Sequence, residues 1–268
     1  MTLDDLRAFE VEVRKHYPEL EIAFKDKSSW QRVLGFLLYP FNPHYMTRYT
    51  STFAPVVYFP SKEAYEGNPR GSFTLLAHEF VHLLDTRDHP FWFRCSYLFP
   101  QLLSPLVFVL FGILAREHAW PLAVFVGGLG VSFLIARLSM AAFFLAAFLV
   151  VVASTALAVW ATGWTTLVFV LGVSLLAPWP APGRVHWERR GYAMSLLLYQ
   201  WAFGGVPQIL RDAVRRSFDG PAYFYMSWHR TGTTAWVDET VKWANDGPVE
   251  NSGPYHIVNN FLASRGLI

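Results

Sequence analysis

One cysteine, Cys95, stands in 268 residues. That excludes a disulfide framework within the chain and a structural zinc site built on thiolates. Net charge is also small. The 22 Lys and Arg nearly balance the 20 Asp and Glu, leaving a formal charge of +2 with the basic residues scattered, so no nucleic-acid footprint is expected. The first twenty residues lack the apolar core segment of a signal peptide. They carry Asp4, Asp5, Arg7, Glu10, Glu12, Arg14 and Lys15, and read as an amphipathic helix with Leu3, Leu6, Phe9 and Val13 on one side.

Charge is scarcest in one long stretch. From Cys95 to Gly183 only Arg116, Glu117 and Arg137 are charged, and the rest is dominated by Leu, Val, Phe, Ala and Gly. A membrane-spanning helix needs about 20 mostly apolar residues. The stretch divides into four such segments, 97–115, 119–136, 138–161 and 164–177, with Arg116-Glu117-His118, Arg137 and Thr162-Gly163 at the turns. The last segment is short and the first contains Pro100 and Pro105, so two long spans with interfacial helices is the alternative division. A run this poor in charge exceeds what a soluble core normally hides. Three regions follow: 1–94, an apolar block at 95–183, and 184–268. Both flanks are rich in Lys and Arg, which predicts that both face the cytoplasm and that the number of spans is even. The expected address is a bacterial inner membrane, with the lipid bilayer as one partner.

Against this background one motif carries chemistry. His78-Glu79-Phe80-Val81-His82 is a complete H-E-x-x-H within a run that reads as a helix. Residues i and i+4 share a helix face, so both imidazoles can reach one metal ion, with Glu79 beside them as a general base. The surrounding Leu75, Leu76, Phe80, Val81, Leu83 and Leu84 predict burial. Buried His and Glu must be satisfied, and a zinc ion does so. Asp85, three residues beyond His82, is expected to accept from an imidazole and set its tautomer. The alternative is an ion pair with Arg87.

Catalytic zinc usually takes three protein ligands. Glu188 is the leading candidate, because it follows the last apolar segment and an even number of spans returns it to the side of His78 and His82. Asp88 or His89 is the second choice, although Asp85 stands where proteins with that spacing have a turn glycine. His186 and His118 remain as isolated histidines. Elsewhere, residues 48–60 read as a strand or hairpin just before the motif helix. Helices are expected over 188–203, ended by Gly204-Gly205, over 207–218 and over 233–245. Tyr223, Tyr225, His229 and His256 are candidates to stabilise an oxyanion.

The order of motif helix, apolar segments and a later helix with Glu188 resembles the integral-membrane gluzincins, the HtpX-like and CAAX prenyl protease group. His78, Glu79, His82 and Glu188 match its two histidine ligands, base and glutamate ligand, while Tyr192 stands where the group often has Asp. The resemblance covers these two short motifs and their order. It implies a mainly α, integral-membrane protein with zincin-like catalytic helices and a small strand element. It further implies a Zn2+ cofactor and a metalloendopeptidase acting on membrane or membrane-proximal polypeptides, and in such enzymes an edge strand beside the motif helix holds extended substrate. The alternative from another class is a non-proteolytic membrane protein whose zinc site is structural or regulatory.

Overall fold

Thr2 opens the first helix with a reciprocal cap: its Oγ1 accepts from the Asp5 amide at 3.2 Å, and the Asp5 carboxylate accepts the Thr2 amide at 2.8 Å. The computed structural model describes residues 1–39, 42–99, 103–136, 140–175, 181–220, 226–227, 230–246 and 253–268. In chain order the elements are α1 (Leu3–His16), β1 (Glu21–Phe24), α2 (Ser29–Leu38), α3 (Tyr45–Arg48), β2 (Ser51–Phe53), β3 (Val56–Phe59), α4 (Lys62–Gly67), α5 (Pro69–Asp88) and α6 (Pro90–Leu98). Then come α7 (Leu103–Leu114), α8 (Trp120–Ala136), α9 (Met140–Thr162), α10 (Thr166–Leu175), α11 (Pro182–Phe203), α12 (Gln208–Asp219), α13 (Arg230–Asp246) and α14 (Gly253–Ser264). The chain is mainly helical with a small three-stranded sheet.

Two compact units form. The first joins residues 1–32, 44–97 and 180–268; the second joins 33–43 and 98–179. Apart from residues 33–43, the polar regions on either side of the apolar block, separate in sequence, therefore fold as one unit.

In the first unit the sheet order is β1-β3-β2. β2 and β3 are the antiparallel hairpin expected over 48–60, with Thr52 opposite Val57. β1, which no alternation announced, pairs parallel to β3. α5 begins where Asn68 accepts from the Gly71 amide and Pro69 takes the first helical position. It is buried from Ser72 to Thr86, except at Leu75, so it lies at the centre of the unit rather than on its surface. Around it pack Leu6, Phe9 and Val13 of α1, Phe59 of β3, Met194 and Leu197 of α11, and Val258 and Phe261 of α14. α11 starts at Pro182, six residues before the expected start at Glu188, and ends as predicted at Gly204, whose φ of 70° caps the helix in the left-handed region.

In the second unit α7, α8, α9 and α10 follow the four predicted apolar segments, with short 3-10 turns at Arg116–His118 and Gly163–Thr165. Arg137, the other expected turn, lies outside the described residues. Phe111, Phe125, Ala158 and Phe169 form the core of this unit. α7 and α10 approach closely at Gly172, whose carbonyl accepts from Ser104 Oγ at 2.8 Å. The helical run Ala142–Leu175, which takes in α9, the turn at Gly163–Thr165 and α10, is long and apolar enough to cross a membrane, and only 17% of its most apolar window is buried; Leu103–Leu114 and Trp120–Ser132 are shorter apolar helices.

Candidate metal centre

Two helices build the site. α5 brings His78, Glu79 and His82 onto one buried turn, as the i, i+4 spacing requires, and α11 brings Glu188 against them. Among the described residues, His78, His82 and Glu188 are the one group of His, Cys, Asp and Glu able to hold a metal ion. His78 Nε2 and His82 Nε2 lie 3.1 Å apart, and Glu188 Oε2 lies 3.6 Å and 3.9 Å from them.

The fit to an ion can be tested on geometry. A tetrahedral ion with nitrogen and oxygen ligands at about 2.0–2.1 Å holds its donors about 3.3–3.4 Å apart. The three sides of this donor triangle bracket that value. Chemistry agrees: Glu188 is 2% exposed, and its Oε2 has no hydrogen-bond partner. An ionised carboxylate taken out of water costs several kcal/mol unless compensated. Two imidazole nitrogens converging on an orphaned carboxylate oxygen is the arrangement a bound cation satisfies. Burial would raise the Glu188 carboxyl, but the imidazoles of His78 and His82 facing it outweigh burial and hold the group well below the usual carboxylate range. Burial disfavours protonated His82, yet Glu188 first, then Glu79 and Asp85, pull its pKa above the ordinary histidine value.

The immediate surroundings come from residues far apart in sequence. Glu79 Oε2 accepts from Thr52 Oγ1 at 2.7 Å, which ties the expected base to edge strand β2. Ser195 Oγ lies 3.4 Å from His78 Nδ1, and Tyr192 packs edge-on against the same imidazole with centroids 4.7 Å apart. Glu188 Oε1 accepts a hydrogen bond from Tyr97 Oη. Gly191 is where α11 passes His78 most closely. A Cβ there would stand 2.6 Å from Nε2 and 2.8 Å from Cε1, so only glycine lets the ring lie against the helix.

Asp85 departs from expectation. Neither an imidazole nor Arg87 is its hydrogen-bonded partner: both of its oxygens accept from Arg190 Nε, at 3.0 and 3.1 Å, and Nη2 lies 2.9 Å from Oδ1. Arg87 instead engages Asp88 and the His16 carbonyl. The reason is tertiary, because α11 delivers a bidentate guanidinium to the carboxylate. Burial raises the Asp85 pKa above the ordinary value even against the opposing pull of Arg190.

The other ligand candidates lie apart from the cluster. Asp88 is half exposed and paired with Arg87. His89 follows the end of α5, beside Trp187, and His186 packs edge-on against the same indole. His118 lies in the second unit and is exposed. Of the oxyanion candidates, His256 pairs with Asn260 on α14, and Tyr223, Tyr225 and His229 lie outside the described residues.

Sequence reasoning missed a buried lysine whose charge couples to Glu79. Lys25 is 0% exposed, and its Nζ donates to the Tyr45 carbonyl at 3.0 Å while lying 3.5 Å from the Tyr45 ring centroid. Tyr45 Oη donates to Gln31 at 2.7 Å and shares a hydrogen bond with Ser51 at 3.1 Å. Burial pushes the Lys25 amine down to about 7, with the charge of Glu79 pulling the other way. Gly191 did leave a trace, since a glycine inside a helical run calls for a packing reason. Thr52, Tyr97, Ser195 and Arg190 left none.

No protein-family model matches the chain, and neither a curated protein nor a solved structure does.

Proposed function

We propose that the chain is a membrane-integrated, zinc-dependent metallopeptidase that hydrolyses peptide bonds in membrane or membrane-proximal polypeptides. The observation that carries this reading is the buried triangle of His78, His82 and Glu188 with Glu79 next to it. A bound zinc ion supplies Lewis-acid activation of water and of the scissile carbonyl. The remaining roles belong to the chain. His78 and His82 present Nε2 atoms and Glu188 presents Oε2 as ligands. Glu79 takes the proton of the attacking water and later delivers it to the leaving amine. Thr52 holds Glu79 Oε2 and so restricts the carboxylate to one orientation. Because Thr52 lies on β2 at the sheet edge, an extended peptide adding to that edge would run past the base.

The membrane part rests on the second unit. A soluble core helix is mostly buried, whereas 17% of the apolar window in Ala142–Leu175 is. Leu106, Ile113, Phe148, Trp160 and Leu167 are all more than half exposed, which suits hydrocarbon and is costly in water. Because both flanks of the apolar block build one folded unit, the block starts and ends on one side of the bilayer. An even number of crossings follows, and Lys and Arg in the flanks favour the cytoplasmic side.

The test is metal content and turnover of detergent-purified protein. One zinc per chain is expected, lost in Glu188→Ala and kept in Asp88→Ala. Glu79→Gln should keep the metal and lose cleavage of an unfolded or membrane-tethered polypeptide. Zinc without cleavage in the wild type would leave a structural or regulatory site, and no metal would end the enzyme reading.

A further inference from the structure

The two oxygens of Glu188 have different surroundings. Oε2 faces both imidazoles and has no hydrogen-bond partner, while Oε1 accepts from Tyr97 Oη. A carboxylate can give a metal one oxygen or both, and giving both uses an additional coordination position. A phenol bound to Oε1 takes up one of that oxygen's two lone pairs and so competes with second-oxygen ligation.

Tyr97 is itself held on several sides. It sits at the C-terminal end of α6, its ring stacks on Phe93 at 5.4 Å and 24°, and its edge-to-face neighbour is His82 at 6.4 Å. Its carbonyl accepts from Arg184 Nε at 3.1 Å. The preceding residue, Ser96, accepts through its Oγ from Trp187 Nε1 at 2.8 Å, so α6 is fastened to α11 at two points besides the hydrogen bond to Glu188. At Gly183 the α6 backbone comes so near that a Cβ would meet the Ser96 carbonyl oxygen at 2.5 Å.

We infer that Tyr97 is a positioning residue that restricts Glu188 to ligation through Oε2 alone and thereby keeps one position of the bound ion open for water. This rests on the metal site proposed above. The phenol acts on the ligand rather than on substrate, in the way outer hydrogen bonds orient ligating carboxylates.

Tyr97→Phe removes the donor and keeps the ring. The experiment loads wild type and variant with Co2+ and Zn2+ and reads the visible cobalt spectrum and the zinc affinity by chelator competition. The wild type should give the intense ligand-field bands of a tetrahedral ion. The variant should still bind one ion, with weaker bands as the coordination number rises and zinc affinity reduced about 10-fold, the low end for loss of an outer-sphere partner. Identical spectra and affinities overturn the role of Tyr97 while leaving the metal site standing. A wild type that binds neither ion overturns the site and this inference together. Zinc K-edge absorption on the wild type alone provides a second test that does not depend on the variant folding. A single carboxylate oxygen in a four-coordinate shell is expected, and a shell with both oxygens overturns the inference.

Discussion

Arg190 grips Asp85 through Nε and Nη2, and that grip joins the helix bearing His78 and His82 to the helix bearing Glu188. Asp85 is 2% exposed, whereas the Arg190 side chain is 40% exposed, so the pair is buried at one end only. Tyr255 Oη also donates to the Arg190 carbonyl at 3.0 Å, which fastens α14 to the same point.

Arg190→Met should therefore destabilise the first unit by about 2–4 kcal/mol. This sits slightly below the range for breaking a fully buried pair because solvent already reaches the guanidinium. Asp85→Leu added to Arg190→Met should recover part of the loss, since no charge is then stranded. Denaturant unfolding in detergent measures both, and an Arg190→Met midpoint equal to that of the wild type would contradict the clamp.

Gly191→Ala places a methyl group where the His78 ring lies. Overpacking of this kind costs about 1–3 kcal/mol. Here the yielding group is one of the three side chains proposed to hold the metal, so zinc affinity should fall by at least about tenfold. Affinity unchanged in the alanine variant would mean that α11 can move away from the imidazole at little cost.

Thr52→Val keeps the shape of the β2 side chain and removes the donor to Glu79. Under the proposed peptidase reading, turnover should drop about 10-fold or more while zinc content and peptide KM stay near wild type, because the lost interaction orients the proposed base rather than the substrate. A rise in KM with kcat intact would move Thr52 from the base to peptide binding.

Lys25 makes stability depend on pH. Its folded-state pKa is pushed down to about 7 from the ordinary 10.5, so between these values the unfolded chain binds the proton and the folded chain does not. Wild-type stability should rise with pH through that window, and below about pH 7 the full cost of burying the ammonium is present. Lys25→Met removes this contribution. The difference in unfolding free energy, variant minus wild type, should be most positive near pH 6 and shrink by a few kcal/mol toward pH 10. A difference that stays constant across the range would show that the amine keeps its charge throughout.

The chemistry of α5 was legible in the sequence because it is local. The spacing of His78 and His82 is a helix repeat, and the flanking leucines predict burial without knowledge of any neighbour. The second-unit helices were equally legible, since an almost uncharged run broken at Arg116–His118 and Gly163 announces its own elements and turns. Glu188 was reached by chain order and topology, and the structure brings it to the histidines.

Everything that orients those groups was decided by tertiary structure. Tyr97 and Glu188 are 91 residues apart, Asp85 and Arg190 are 105, and His78 and Ser195 are 117. Such partners meet only because the two polar flanks close into one unit, and no periodicity records which side chain on one helix will face which on another. Which residues can do chemistry was readable along the chain, because helix repeat and hydropathy are properties of neighbours. Packing between elements decided that Asp85 serves α11 rather than an imidazole, that Lys25 lies buried on Tyr45, and that a phenol holds the glutamate. Each of those depends on packing between elements distant in sequence.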